Sequence, residues 1–218
     1  MKKKSILFFF LLIVIILGLG GIIYYFYNEE NSSFFNPGNR YDWSQLNYMD
    51  VIYENQSDIQ AWNEGYSESD QCPWGFKHLG LDYFFKNGSN VIAAAPGQVQ
   101  EIVDHDSTSQ FNKYHVAIWI RFNETIRLGY NFEPWSTNES DREKQRQMFK
   151  IEVGDWVSQG QVIAQFLECN ISAHIHFDLV ENQEWYCPRK YFSTAGYNEI
   201  MNLIEFYHPG ENWQLCYS

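Results

Sequence analysis

Apolar positions fall into three regimes along the chain. Ile6 to Tyr27 carries no charge and follows Lys2, Lys3 and Lys4. As a helix, a run of that length rises about 33 Å, enough to cross a hydrocarbon core of roughly 30 Å. The basic flank stays on the cytoplasmic side, so the pattern predicts one transmembrane helix with everything after it extracytoplasmic. A cleaved signal peptide is the rival reading, given the small residues between Gly18 and Gly21. Against it, there is no A-x-A-like site, and Tyr24 to Tyr27 continue the run as an interfacial aromatic belt does. The second regime, 28–70, is rich in Asn, Ser, Glu and Tyr without a sustained period and reads as a stalk or linker.

From Cys72 onward, short apolar runs alternate with Gly, Asn and Asp. The runs "NVIAAAPGQVQEIVDH", "KYHVAIWIRF", "TIRLGYNF", "VGDWVSQGQVIAQFL" and "AHIHFDLV" each read as strand or strand–turn–strand. Strands of hairpin length in succession predict a mainly β domain, an antiparallel β sandwich or partly open barrel. The polar stretch 136–149 suits a short surface helix or a long loop. Ile200, Leu203 and Ile204 keep helical spacing behind Ser193 or Thr194 as N-cap, which predicts one C-terminal helix on the sheet edge. The expected organisation is a basic flank and anchor over 1–27, a stalk over 28–70, a β domain over 71–190 and a helical extension over 191–218.

Charge narrows the partners. The chain carries a formal net charge of −12, and the part beyond the three leading lysines stands at −15. Phosphate-rich surfaces would be repelled, which argues against nucleic acid. Cys72, Cys169, Cys187 and Cys216 all lie in the part expected outside, where an even count favours disulfides. Cys187 with Cys216 is the favoured pair, leaving Cys72 with Cys169. None of the spacings is C-x-x-C. Six N-x-S/T sequons, beginning with Asn31 and Asn55, are sites for glycans if the host has the machinery.

The candidate chemistry sits in two short segments. In "AHIHFDLV", strand alternation places His174 and His176 on one face and Ile175 and Phe177 on the other. In "HLGLDYFF", the same alternation aligns His78, Gly80 and Asp82. A flat strand would hold His78 and Asp82 about 13 Å apart, too far for bonds of about 2 Å to one ion, so the segment is expected to bend at Gly80. With that bend, His78, Asp82 and one of His174 and His176 supply the three protein ligands usual at a catalytic zinc, and the other imidazole handles a proton. His105 and His115 read as structural, with His115 as a neighbour of the metal site in the alternative. His208 is a loop residue. Trp74, Trp135 and Trp185 are candidates for contacting a peptide or glycan.

Over roughly 75–180 the chain resembles the M23 family of zinc metallopeptidases, the lysostaphin-like endopeptidases. The likeness lies in the H-x-x-x-D of His78 and Asp82, in "NVIAAAPGQV", in "VGDWVSQGQVIAQF" and in the H-x-H of His174 and His176. It implies the M23 fold, Zn²⁺ held by His78, Asp82 and His176, and a catalytic His174. It further implies a peptide substrate in a cell-wall polymer. One departure stands out. The family has a Y-x-H histidine on an intervening strand, whereas this chain has Tyr130, Asn131 and Phe132. Glu133 is the nearest group able to take a proton, while alternation makes Phe132 the counterpart of the missing side chain. The rival reading is a catalytically degenerate scaffold of the same fold that binds an envelope protein. A weaker one takes the hairpin "VGDWVSQGQVIAQ" as lipoyl-like, which leaves the histidines unexplained.

Overall fold

The structure, a computed structural model, describes residues 35–218, so the membrane span expected over 6–27 lies outside the described residues. Among the described residues no helix is long and apolar enough to cross a membrane. Among the described residues there are twelve strands: β1 (Ile59–Trp62), β2 (Tyr66–Ser67), β3 (Leu81–Phe85), β4 (Asn90–Ile92), β5 (Gly97–Asp106), β6 (Tyr114–Arg121), β7 (Ile126–Glu133), β8 (Trp156–Val157), β9 (Val162–Gln165), β10 (His174–Glu181), β11 (Glu184–Trp185) and β12 (Cys216–Tyr217). In the same described residues two α-helices accompany them, α1 (Glu139–Gln147) and α2 (Thr194–Tyr207). The main sheet runs β1-β3-β10-β7-β6-β5-β8, with β11 paired to β10, and every pairing in it is antiparallel. Its end strands do not pair with each other, so of the two expected architectures the partly open barrel, not the sandwich, is found.

Alternation sets the two faces of this sheet. Leu81, Tyr83, Leu128, Tyr130, Phe132, Ile175 and Phe177 point to one side and are buried. The antiparallel pair β4–β9 supplies Val91, Ile163 and Ala164 to the same core. Tyr130 crosses that core with its hydroxyl to accept from the Ala94 N–H at 2.7 Å. Phe177 meets Tyr130 edge-on at 5.1 Å between centroids and Tyr83 at 6.4 Å. Such pairs are worth about 0.5–1.5 kcal/mol beyond burial. A register slip of one residue would turn every one of them outward. The aromatic core thus locks β3, β10 and β7 in register, and the polar residues between the aromatics share the opposite face.

Two expectations need correction. The stretch read as a stalk is structured from Pro37 on, within one compact unit that runs to Ser218. Met49, Ile52 and Tyr53 are buried, β1 pairs with β3, and β2 pairs in parallel with β12. Its elements are too short to show a period of their own, and tertiary pairing forms them. The second correction concerns cysteines. Cys187 and Cys216 are bridged as expected, but Cys72 and Cys169 are free. Cys72 sits in the loop before His78, its Sγ 3.3 Å from the Phe76 carbonyl, while Cys169 is exposed on the β9–β10 connection.

The polar stretch 136–149 forms α1, with Asn138 as N-cap. Arg142 pins the helix to β5 through Asp106 at 2.6 Å. At the other end of the chain, α2 starts behind Ser193, whose Oγ accepts from the Gly196 N–H, and buries Ile200, Leu203 and Ile204.

Candidate metal centre

Register brings the two histidine segments together. Residue 176 stands opposite Asp82 on β3 and opposite Asn131 on β7, and His174 stands opposite Glu133. Residues directly opposite share a face, so His174, His176, Asp82, Asn131 and Glu133 converge on the side away from the core. Phe132, expected as the counterpart of the family's Y-x-H histidine, faces the core and packs on Phe149. The positions of β7 that face the site are Asn131 and Glu133.

His78 does not lie on β3. The strand begins at Leu81, the chain bends at Gly80, and His78 makes an isolated bridge with Ser67 of β2. The expected bend is therefore present. Gly80 has a second duty. A Cβ there would come within 2.6 Å of His176 Cε1, so the imidazole packs flat against bare backbone.

Hydrogen bonds define which ring nitrogens are free. His78 Nδ1 lies 2.7 Å from the Gly65 carbonyl, which only accepts, so Nδ1 carries the proton and Nε2 the lone pair. His176 Nε2 donates to Asp178 Oδ1 at 3.1 Å, leaving Nδ1 to face inward. Asp178 is itself buried and accepts from Asn131 Nδ2 at 2.5 Å. The inward atoms form a tight triangle: His176 Nδ1 to Asp82 Oδ1 is 2.8 Å, His176 Nδ1 to His78 Nε2 is 3.0 Å, and His78 Nε2 to Asp82 Oδ1 is 3.2 Å. Tetrahedral ligands at zinc bond lengths stand about 3.3 Å apart, so these three fit one ion with a small outward adjustment. Each imidazole has its second nitrogen bonded to a carbonyl or carboxylate, as metal-ligating histidines do. The donor set fits Zn²⁺.

Electrostatics agree with this arrangement. Burial alone would raise the Asp82 pKa, but the neighbouring His174 and His176 hold its carboxyl well below the usual range. Burial works against a charged His176 as well, yet Asp82 and then Asp178 hold its pKa well above 6.5. In metal-free protein a proton on His176 bridges the same atoms that would hold a cation.

The fourth predicted residue, His174, is buried and stands apart from the triangle. Its Nδ1 donates to the Ser172 carbonyl at 2.8 Å. Its Nε2 faces Asp82 Oδ2 at 3.7 Å and Glu133 Oε2 at 3.6 Å. These residues line a cavity of about 420 Å³ walled by Phe76, Phe84 and Trp135. Trp135 holds a φ of 58°, a left-handed conformation that a bulky residue keeps only where its surroundings dictate it, and its ring rests 5.6 Å from that of His174. Trp74 packs edge-on near His78, and Trp185 lies on the exposed β11.

Three contributors escaped the sequence reading. The Asn63–Gly65 loop forms a wall: the Gly65 carbonyl holds His78, the Glu64 carbonyl accepts from the Asp82 N–H at 3.0 Å, and the Glu64 carboxyl faces the cavity. Burial, with help from Asp82, pushes the Glu64 carboxyl up to about 7. Asp178 is the second contributor, and strand alternation from His176 could have found it. Asn112, bonded to Glu133, is the third. His115 pairs with His105 across β6 and β5 outside the triangle, and burial lowers its pKa. His208 stacks on Trp213 and donates to the Trp62 carbonyl.

No family model matches the chain, and no curated protein does. Among solved structures, it is similar to a zinc containing peptidase from Vibrio cholerae, at 15% identity over 64% of this chain and 38% of that one, with a TM-score of 0.43. It is similar to a prophage-encoded M23 protein from Enterococcus faecalis, at 18% identity over 60% of this chain and 90% of that catalytic domain, with a TM-score of 0.42. It is also similar to the catalytic domain of the antimicrobial peptidase lysostaphin from Staphylococcus simulans, at 18% identity, 68% and 95% coverage and a TM-score of 0.38. The matched part spans under two-fifths of the Vibrio cholerae protein.

Proposed function

We propose that this chain is a zinc metallopeptidase of the M23 type that hydrolyses peptide bonds in a cell-wall polymer. In this reading the apolar segment over 6–27 anchors it in the membrane with the domain outside. The convergence of His78 Nε2, Asp82 Oδ1 and His176 Nδ1, each ring with its other nitrogen bonded away from the site, carries the reading.

His78, Asp82 and His176 would hold the ion. Zn²⁺ supplies Lewis acidity there, polarising a carbonyl oxygen and making water a stronger acid. His174 manages the proton. With Nδ1–H fixed on Ser172, the neutral ring presents its Nε2 lone pair to the cavity, where it takes the proton of the attacking water and returns it to the departing amine. Asp82 and Glu133 flank that nitrogen and stabilise the imidazolium formed between the two transfers. Phe76, Phe84 and Trp135 give a peptide an apolar wall and thin the water around the reacting groups.

A specific observation favours the second reading, a scaffold without turnover: β7 presents Asn131 and Glu133 to the site where the family pattern has a histidine. Metal analysis of the purified protein, alongside His78→Ala, and incubation of the zinc-loaded form with cell-wall preparations test both. Release of peptide fragments that His174→Ala abolishes at full zinc content supports the peptidase. Full zinc content with no release, and Glu133→Gln indistinguishable from wild type, selects the scaffold. Failure to take up zinc sinks the peptidase.

A further inference from the structure

Glu133 does not face His174 unaided. Its Oε2 accepts a hydrogen bond of 2.5 Å from Asn112 Nδ2. Asn112 lies in the β5–β6 connection and is only 5% exposed. The orientation of its amide follows from chemistry: a carboxylate only accepts, so the NH₂ group must face it. Asn112 Oδ1 is buried and has no hydrogen-bond partner among the described residues.

The connection is folded to hold this residue. Ser109 Oγ accepts from the N–H groups of Phe111 at 3.2 Å and Asn112 at 3.0 Å, and Ser107 Oγ accepts from the Ser109 N–H at 3.0 Å. The Ser107 N–H closes the turn on the Lys113 carbonyl at 2.7 Å, and the Lys113 N–H reaches the Ser136 carbonyl at 2.9 Å, next to Trp135.

We infer that Asn112 is a positioning residue, which fixes the Glu133 carboxylate against His174 so that carboxylate and imidazole act as one proton-handling couple in place of two histidines. The chemistry rests on the peptidase reading, while the geometry stands without it. The titratable groups around Glu133 are His174 on β10, His115 on β6 and, beyond His174, Asp82 on β3, with Glu64 across the cavity.

The test compares wild type, Asn112→Leu, Asn112→Asp, Glu133→Gln and the double variant Asn112→Leu/Glu133→Gln as zinc-loaded full chains. Asn112→Asp keeps the shape and replaces the donor, which covers the case in which Asn112→Leu fails to fold. The ¹⁵N signals of the His174 imidazole are expected to move in both Asn112 variants as they do in Glu133→Gln, with no further change in the double variant. On a peptide substrate, kcat is expected to fall about tenfold to a hundredfold with KM nearly constant, the cost of a small misplacement, and not to fall further when Glu133 is already Gln. His174 signals that stay put in Asn112→Asp, or an Asn112→Leu loss that adds in full to that of Glu133→Gln, overturn the inference. A wild type that cleaves nothing defeats the peptidase reading, while the imidazole spectra still decide the role of Asn112.

Discussion

Replacing Gly80 with alanine isolates the geometry of the metal site, because it removes no ligand. The added Cβ would lie 2.6 Å from His176 Cε1 and closer still to Nε2. Carbon atoms rest at about 3.5 Å or more, so the ring must withdraw by about 1 Å. It is held by Asp82 at 2.8 Å and Asp178 at 3.1 Å, and a withdrawal of that size takes the bond nearer the Cβ beyond hydrogen-bonding range. Bonds to charged partners contribute about 1.5–3 kcal/mol each. Losing one or both moves Nδ1 off the triangle at a cost of about 1.5–6 kcal/mol. At about 1.4 kcal/mol per decade, zinc affinity should drop by at least about tenfold, with roughly five-hundredfold in mid-range. Competition against a chromophoric chelator measures it, with circular dichroism to confirm that the sheet persists. Gly80→Ala protein that binds zinc as tightly as wild type would refute the placement of His176.

Other outcomes follow from the same contacts. Asp178→Asn should weaken zinc binding about tenfold to a hundredfold, since it removes the charge that fixes the His176 tautomer, with all three ligands in place; unchanged affinity in the same competition assay would count against it. In metal-free protein, the raised His176 and His78 pKa values contribute stability below the unfolded histidine value of about 6.5, and this is lost as pH rises through the folded values. The lowered Asp82 pKa contributes stability above about 3.9 that is lost on acidification. Thermal melts of chelated protein should therefore show a maximum between about pH 4 and 6.5; a Tm that climbs steadily to pH 9 contradicts this. Changing Cys187 and Cys216 together to serine opens a loop with a sequence separation of 29 and should cost about 3–4 kcal/mol in denaturant unfolding, whereas a change under about 1 kcal/mol would mean the bridge constrains little.

The H-x-H on β10 was legible because a period of two needs no knowledge of the rest of the fold. The same period held more than was read from it. In β7, Ile126, Leu128, Tyr130 and Phe132 alternate with Arg127, Gly129, Asn131 and Glu133, which already assigns Phe132 to the core side. In β10 it also aligns Asp178 with His176. The bend at Gly80 was legible from bond lengths alone, since His78 and Asp82 could not otherwise share an ion. The wall formed by Asn63, Glu64 and Gly65 was not. It depends on β1, a four-residue edge strand with mixed burial, and on β2, two residues long, whose partners lie far along the chain. Asn112 was hidden for a related reason: a turn folded by serine hydroxyls shows only as a polar stretch until its endpoints are known. The free state of Cys72 and Cys169 reflects loop placement, which counting cysteines does not reach.

The carbonyl that steadies His78 belongs to Gly65, and Gly65 lies so close to the Leu215 carbonyl that a Cβ there would approach it to 2.7 Å. Tyr66 donates to that same Leu215 carbonyl, and Cys216 and Tyr217 pair with Tyr66 and Ser67. During biosynthesis all three side chains of the candidate metal centre therefore emerge before the segment that braces the first of them. A polypeptide halted short of Leu215 would carry all three of these side chains and still lack the brace on the first of them.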